Sequence, residues 1–249
     1  MTDPKQGERD YYARIGPVGI AHARRKPFVE EQCSFYFANF SALLGLLPPS
    51  PQRILDFGCG TGWLSLLLAQ AGHEVTGVDI APEAIAAARE DAAARGLTRA
   101  TFEVGDYETF SAAGPFDFVL FYDALHHAES ELDALRAAHA ALRPGGAVIT
   151  CEPGTGHANA PASRDAVHKF GVHEKDMPPS HIVATGRAAG FTRHLVLPRP
   201  FDVSRTFFRP AYHRASTQSE LFGRRLLGFL RFLPRAWRVR DQGIVLLWK

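Results

Sequence analysis

The sequence predicts an α/β fold built on a doubly wound, mostly parallel sheet of seven strands. Five short apolar segments between residues 53 and 151 alternate with helical patterns, and a glycine-rich turn follows the first of them. Two further strand-like segments lie at 191–197 and 243–248. Parallel neighbours need crossover connections, which are almost always right-handed, so this alternation places helices on both faces of one sheet.

The expected elements follow in order from residue 28. Residues 28–47 have the broad apolar surface of a helix, which Pro48 and Pro49 end. We expect strands at 53–57, 74–79, 101–104, 116–122, 147–151, 191–197 and 243–248, and helices at 63–71, 82–95, 129–142, 161–170 and 180–189. About forty residues separate the last two strands, where a hairpin needs only about two to five, so a helical insertion is expected before the last strand.

All of these elements are expected in a single domain, 1–249, because 249 residues with 46% hydrophobic content can bury one large core. Within it we expect four functional parts. They are an N-terminal helical segment at 1–49, a cofactor-binding core at 50–152, substrate-side loops and helices at 153–190, and a basic helical cap insertion at 199–241.

Cysteine content and hydropathy indicate a cytoplasmic protein. Cys33, Cys59 and Cys151 are widely spaced and odd in number, which favours neither a disulfide framework nor a zinc site. The first ten residues are polar, and no segment approaches the roughly 20 apolar residues of a membrane span. Neither secretion nor membrane spanning is therefore expected.

Charge is divided unevenly along the chain. The net charge is +2, but residues 190–249 hold eleven arginines and one lysine against Asp202, Glu220 and Asp241. Residues 220–233 repeat apolar side chains at helical spacing beside arginines, as in a basic amphipathic helix. This segment could cap the acceptor pocket, contact an anionic membrane through 220–240, bind an acidic partner, or present a solvated face. No nucleic-acid module accompanies the arginines, so nucleic acid is not expected.

The glycine-rich turn is the first functional motif. Gly58, Gly60 and Gly62 stand where the first strand ends, the edge at which open α/β sheets bind ligands. Their spacing matches neither a phosphate loop nor the dinucleotide pattern G-x-G-x-x-G. Asp79, at the end of the second strand, is placed to accept hydrogen bonds from ribose hydroxyls. Its structural alternative is a helix cap before Pro82.

Further motifs extend this pattern. Asp56-Phe-Gly-Cys-Gly-Thr-Gly62, Gly77-Val-Asp79, Gly105-Asp106, the segment 116–127 ending in Leu-His-His, and Leu142-Arg-Pro-Gly-Gly146 occur in order. Together they resemble the successive motifs of class I S-adenosylmethionine-dependent methyltransferases, which have a Rossmann-like fold. The resemblance is close over residues 50–150.

This resemblance implies S-adenosyl-L-methionine as cofactor and S-adenosyl-L-homocysteine as product. It places Asp56 and the glycine loop, with Gly58, Cys59, Gly60 and Gly62, at the methionine part of the donor. It places Asp79 at the ribose and Asp106 at the adenine amino group, and it adds Ile80 and Gly105 to the cofactor-binding residues. Tyr107 and Tyr122 would line the pocket.

Methyl transfer to a hydroxyl or amine is an in-line displacement that demands positioning, and a hydroxyl also benefits from a general base. The candidates are His127 after the fourth strand, Glu152 and His157 after the fifth, and His173 in the polar loop 171–179. Each could instead be a packing or solvated residue. His157, His168, His173 and His181 lack the tight spacing of metal ligands, so no metal is expected.

The acceptor is expected to be a small molecule, anionic or sugar-containing. The segments 152–157 and 171–179 are similar to those of methyltransferases that modify bacterial surface polysaccharides. Alternatives are a membrane-surface enzyme with a lipid-linked acceptor, a noncatalytic cofactor-binding scaffold in a biosynthetic complex, and a dinucleotide oxidoreductase.

Overall fold

The computed structural model describes residues 3, 5–29, 32–111, 114–207, 217–236 and 241–249. Its strands are β1 (Arg53–Phe57), β2 (Glu74–Asp79), β3 (Ala100–Val104), β4 (Phe116–Tyr122), β5 (Leu142–Cys151), β6 (Arg193–Leu197) and β7 (Ile244–Trp248). Its helices are α1 (Gln6–Arg24), α2 (Cys33–Leu46), α3 (Trp63–Gln70), α4 (Pro82–Ala94), α5 (Glu131–Ala141), α6 (Pro161–Phe170), α7 (Pro179–Ala188), α8 (Pro200–Phe207) and α9 (Gln218–Ala236).

The seven strands form one sheet in the order β3-β2-β1-β4-β5-β7-β6. The pairs among β1 to β5 are parallel, and β7 runs antiparallel to both β5 and β6. This arrangement confirms the predicted doubly wound, mostly parallel sheet. The strand order reverses between β1 and β4, which places a ligand crevice at their carboxyl ends.

Alternating side chains of the central strands build two apolar layers, one on each face of the sheet. Ile54 and Leu120 point to the layer that contains α2, α3 and α4. Leu55 and Val119 point to the layer that contains α5 and α7. Both layers are buried, so the sheet is a rigid base on which the loops at its carboxyl edge are held.

The N-terminal region differs from the prediction. The helix expected at 28–47 begins only at Cys33, and Phe28 remains 64% exposed. A separate helix, α1, precedes it within the helical segment predicted at 1–49, although its bounds were not predicted. Gly16 adopts a φ of 65° next to Pro17 inside α1, so the helix is kinked there. This break interrupts the apolar periodicity that would otherwise have indicated a helix.

The insertion before β7 contains two described helices, as the sequence predicted. α8 packs against α2, with the rings of Phe35 and Phe201 5.3 Å apart, and α9 packs against α8. In the described parts of the chain, no helix combines the length and the hydropathy that crossing a membrane requires.

Candidate active site

The glycine loop between β1 and α3 has a backbone that only glycine accommodates easily. Gly58 and Gly60 have φ values of 70° and 53°, in the left-handed region. A Cβ on Gly58 would lie 2.5 Å from the Cβ of Ala124, and one on Gly60 would lie 2.6 Å from the Tyr12 hydroxyl. The loop therefore lies directly against the end of β4 and against α1, and Gly58 and Gly60 line a cavity.

Asp79 braces this loop from the end of β2. Its Oδ2 accepts a hydrogen bond from the Gly60 N–H at 2.8 Å, and its Oδ1 accepts one from the Ala81 N–H at 2.9 Å. Burial raises the pKa of Asp79, and these two N–H groups oppose the rise. The carboxylate thus lines the cavity and also orders the turn into α4, while its contact with a ribose stays a prediction.

Asp106, after β3, is held by the residue that precedes α1. The Lys5 ammonium donates to Asp106 Oδ2 at 2.7 Å and lies 2.8 Å from Glu108 Oε1. The Glu108 N–H donates to the other oxygen, Asp106 Oδ1, at 3.0 Å. Both carboxylate oxygens are therefore engaged, and the start of α1 is tied to the sheet edge.

These groups surround one cavity of about 310 Å³ at the carboxyl edge of the sheet. This volume is at the lower end of the range for small-molecule sites. The residues that line it are Lys5, Glu8, Tyr11, Tyr12, Lys26, Gly58, Gly60, Asp79, Ile80, Asp106, Tyr107, Glu108, Asp123, Ala124, His126, His127, His157, Val172 and Glu174. None of the described residues of 199–241 is among them, so the cap role of that insertion stays a prediction.

Histidines and carboxylates gather in the same cavity, beside the turn that follows β4. His157 Nε2 lies 2.5 Å from Glu174 Oε2. His127 Nδ1 lies 2.6 Å from the His173 carbonyl oxygen and 3.5 Å from Glu8 Oε1. Enclosure of the ring lowers the pKa of His127, but Glu8 outweighs it and, with further negative charge nearby, raises that pKa to about 9.

Comparison with known proteins fits this geometry. Residues 54–146 match the methyltransferase domain family. A ubiquinone biosynthesis O-methyltransferase of Cereibacter sphaeroides is 40% identical over 139 residues, which cover 55% of each chain. The family match covers most of the predicted cofactor-binding core and supports a class I S-adenosylmethionine-dependent methyltransferase. The chain spans about half the length of the curated relatives it matches.

Solved structures share the methyltransferase fold at low identity. The Haemonchus contortus phosphoethanolamine N-methyltransferase 2 has a TM-score of 0.65 and 19% identity, with 100% of this chain and 59% of that chain covered. The magnesium protoporphyrin IX methyltransferase of Synechocystis PCC 6803 has a TM-score of 0.62 and 18% identity, with coverage of 99% and 100%. At such identities the similarity concerns the fold alone.

The predicted site residues divide into two groups. Those that line the cavity are Gly58, Gly60, Asp79, Ile80, Asp106, Tyr107, His127 and His157. Those outside its lining are Asp56, Cys59, Gly62, Gly105, Tyr122, Glu152 and His173. Asp56 and Cys59 are buried under the glycine loop, where Asp56 Oδ2 accepts a hydrogen bond from the Ser65 hydroxyl at 2.6 Å.

Tyr122 and Glu152 differ from their predicted positions. Tyr122 faces the α2 layer, where its hydroxyl accepts a hydrogen bond from Asn39 at 2.8 Å and its ring packs on Trp63. The period-two alternation of β4 directs it away from the cavity. Glu152 is buried and accepts hydrogen bonds from backbone N–H groups of the turn after β4, so it supports the site from behind.

His173 also acts through its neighbours. Its backbone N–H donates to Glu8 Oε1 at 2.6 Å, and its carbonyl oxygen contacts His127 Nδ1. It positions two cavity residues, while its own ring lies outside the cavity lining.

Several cavity residues were missed from the sequence. Glu8, Tyr11 and Tyr12 come from α1, and their i, i+3, i+4 spacing was the available signal for a shared helix face. Asp123, directly after β4, has a φ of 54°, which is unusual for a residue other than glycine. Nothing in the sequence indicates that conformation, because the fold around the end of β4 imposes it.

Proposed function

We propose that this methyltransferase transfers the methyl group of S-adenosylmethionine to a hydroxyl or amine of a small acceptor and releases S-adenosylhomocysteine. One observation carries the proposal: the glycine loop with Asp79 and the cluster of His157 and Glu174 line the same cavity. A donor bound at the glycine loop and Asp79 would present its methyl group towards His157 and Glu174. Names of relatives favour an oxygen acceptor, because those with the longest matches are O-methyltransferases.

At the donor end, Asp79 is proposed to accept hydrogen bonds from the ribose, and Asp106 to accept one from the adenine amino group. Each carboxylate oxygen can accept more than one hydrogen bond, so this contact would add to the bond from Lys5 to Asp106 Oδ2. The carboxylate of the methionine part is proposed to approach the main chain of Gly58 and Gly60, beside the Tyr12 hydroxyl.

At the acceptor end, we assign the general base to His157. When Nε2–H donates to Glu174, the lone pair that accepts a proton is on Nδ1. As the acceptor oxygen bonds to the methyl carbon, the carbon–sulfur bond breaks, its electron pair goes to sulfur, and the hydroxyl proton passes to Nδ1. The Glu174 carboxylate then stabilises the imidazolium, as acidic partners of catalytic histidines do.

For the acceptor, we propose a compact molecule with an anionic or sugar-containing group. Lys26 lines the cavity and can face a negative charge, while Tyr11 can donate a hydrogen bond to a hydroxyl. An anionic or sugar-containing acceptor would offer a negative charge or several hydroxyls for these contacts, which a simple phenol does not. If the acceptor is linked to a lipid, the exposed face of α9 would hold the chain at the membrane surface.

Donor binding and turnover test the proposal separately. S-adenosylhomocysteine binding should be measured by calorimetry, and methyl transfer from labelled donor should be followed with a panel of phenols, sugars and phosphorylated alcohols. His157→Gln should bind donor normally and lose about 100-fold or more in kcat with the best acceptor. The exposed His168 supplies the control, His168→Gln.

Two results would contradict the assignment. Unchanged turnover by His157→Gln would remove the base. Donor binding without transfer to any compound in a fractionated bacterial extract would favour the scaffold alternative, and binding of a nicotinamide dinucleotide in place of the donor would favour an oxidoreductase.

A further inference from the structure

Three metal-binding side chains converge at the acceptor end of the cavity. His126 and His127 come from the turn after β4, and Glu174 comes from the loop before α7. One ligand atom from each lies within 4.8 Å of the others. Sequence spacing did not indicate His126 and His127 as metal ligands, because the third ligand, Glu174, lies 47 residues after His127.

The ring of His126 is fixed by a buried carboxylate. Its Nδ1 lies 2.7 Å from Glu152 Oε2, and the two side chains are 3% and 0% exposed. The Leu125 N–H also donates to Glu152 at 2.8 Å, so the carboxylate itself cannot rotate freely. With Nδ1 occupied, Nε2 is left for the cavity, where it lies 3.8 Å from Glu174 Oε2.

The other two side chains are oriented in the same manner. His127 Nδ1 lies 2.6 Å from the carbonyl oxygen of His173. A carbonyl only accepts hydrogen bonds, so Nδ1 keeps its proton, and a metal ion would bind Nε2 in place of the second proton of the imidazolium. Glu174 is held by His157, whose Nε2 lies 2.5 Å from Oε2.

We propose that His126 Nε2, His127 Nε2 and the Glu174 carboxylate bind one divalent transition-metal ion of the zinc type. Two imidazole nitrogens and one carboxylate oxygen suit such ions, and three protein ligands leave a coordination position open. Each ligand already has the outer partner that metal-bound histidines and carboxylates usually have: Glu152, the His173 carbonyl and His157. The open position would face the cavity.

Distance and charge both permit the ion. Tetrahedral bonds of about 2.1 Å place ligand atoms about 3.4 Å apart, so the most widely separated pair, within 4.8 Å, has to close by up to about 1.4 Å. Glu8 and Asp123 also line this end of the cavity and add negative charge beside the ion. The site goes beyond the proposed function, because metal binding needs neither donor nor acceptor.

Metal titration of the full chain, tag-free and treated with chelator, tests the site. Zn²⁺ should bind with one equivalent per chain, and Co²⁺ should produce visible d–d absorption typical of nitrogen and oxygen ligands. Glu174→Gln and His127→Ala should each weaken Zn²⁺ binding at least tenfold, while the exposed His168→Ala should leave it unchanged.

Glu174→Gln is the decisive variant, because its side chain lies at the cavity and not in the core. His126→Ala would leave Glu152 buried without its partner and could fail to fold. Equal Zn²⁺ affinity of wild type, Glu174→Gln and His127→Ala would overturn the proposal, as would the absence of stoichiometric binding. The base variant His157→Gln should lose methyl transfer but still bind one equivalent of Zn²⁺. This result would show that metal binding does not depend on the proposed base.

Discussion

Glu152 and His126 form a buried pair, with 2.7 Å between the carboxylate Oε2 and the imidazole Nδ1. Glu152 also accepts backbone hydrogen bonds from Ala124 at 3.1 Å and Leu125 at 2.8 Å. It therefore fixes the turn that carries His126 and His127 to the cavity. A residue that the sequence suggested as catalytic is a positioning residue in the structure.

Glu152→Gln is expected to lower stability. The amide keeps the shape of the carboxylate but loses the charge-assisted bonds, at a cost of about 2 kcal/mol. For a chain of this size, that cost lowers Tm by about 4–8 °C. Thermal unfolding followed by circular dichroism measures the change.

Glu174→Gln is the matched control, because Glu174 also contacts a histidine but its side chain is 11% exposed, against 0% for Glu152. Its Tm should change by less than about 2 °C. An unchanged Tm for Glu152→Gln together with reduced turnover would restore the catalytic role that the sequence suggested.

Asp56 predicts a pH dependence of stability. Burial raises the pKa of this carboxyl from 3.8 to about 7, although the Ser65 hydrogen bond opposes the rise. The folded state binds the Asp56 proton more tightly than the unfolded state does. The stabilisation that comes from this proton is therefore complete below about pH 4 and is lost as the pH rises to about 7. Asp56→Asn removes this loss.

The Tm of Asp56→Asn relative to wild type should therefore increase from pH 5 to pH 8. The difference between the folded and unfolded pKa of Asp56 sets an upper bound of about 4 kcal/mol on the gain in the free energy of unfolding. Asp165→Asn, on the exposed face of α6, should show no such trend. Parallel Tm curves for wild type and Asp56→Asn would mean that Asp56 is ionised throughout this range.

The sheet and the donor end could be predicted because their signals are local. The glycine loop, Asp79 and Asp106 each follow a strand, and parallel strands bring their carboxyl ends to one edge. Alternation of apolar residues with helical patterns was enough to place β1 to β4 within one residue of their bounds, whereas β5 begins at Leu142, five residues before its predicted start.

The acceptor end could not be predicted in the same way. Glu174 meets His126 and His157 through a loop path that no periodicity encodes, and α1 reaches the cavity only because it docks on other elements. Glu152 looked catalytic because it follows a strand at the functional edge. Its position at a buried site behind the turn depends on packing that sequence spacing does not determine.

Gly7 is where α1 docks beside the cavity. A Cβ there would lie 2.1 Å from the Gly171 carbonyl oxygen, and that contact is with backbone. Gly7→Ala should push α1 outwards and displace Glu8, Tyr11 and Tyr12 from the cavity. We expect S-adenosylhomocysteine affinity to fall at least tenfold, measured by calorimetry.

Gly45→Ala is the control for this effect. Gly45 lies in α2, is exposed, and has no neighbour within 4 Å of the added Cβ. Alanine should stabilise that helix by about 0.5–1 kcal/mol and leave donor affinity unchanged. Equal donor affinities in the two variants would show that α1 closure contributes nothing to donor binding.

The exposed face of α9 predicts attachment to anionic membranes. Phe222, Leu227 and Leu230 are 69%, 54% and 52% exposed, and Arg225 lies on the same helix. Apolar side chains can enter the interface while arginines contact lipid phosphates. The chain should float with phosphatidylglycerol vesicles and not with neutral phosphatidylcholine vesicles, and high salt should weaken the binding.

The double variant Phe222→Ser/Leu227→Ser should reduce flotation at least fivefold, because the apolar contribution scales with the area buried in the interface. Val167→Ser, which removes a 45% exposed side chain from α6, serves as the matched control and should float like wild type. Without flotation of the wild type on anionic vesicles, a lipid-linked acceptor loses its structural support. The apolar face of α9 would then have to be covered by protein, because so many exposed apolar side chains on one helix are costly in water.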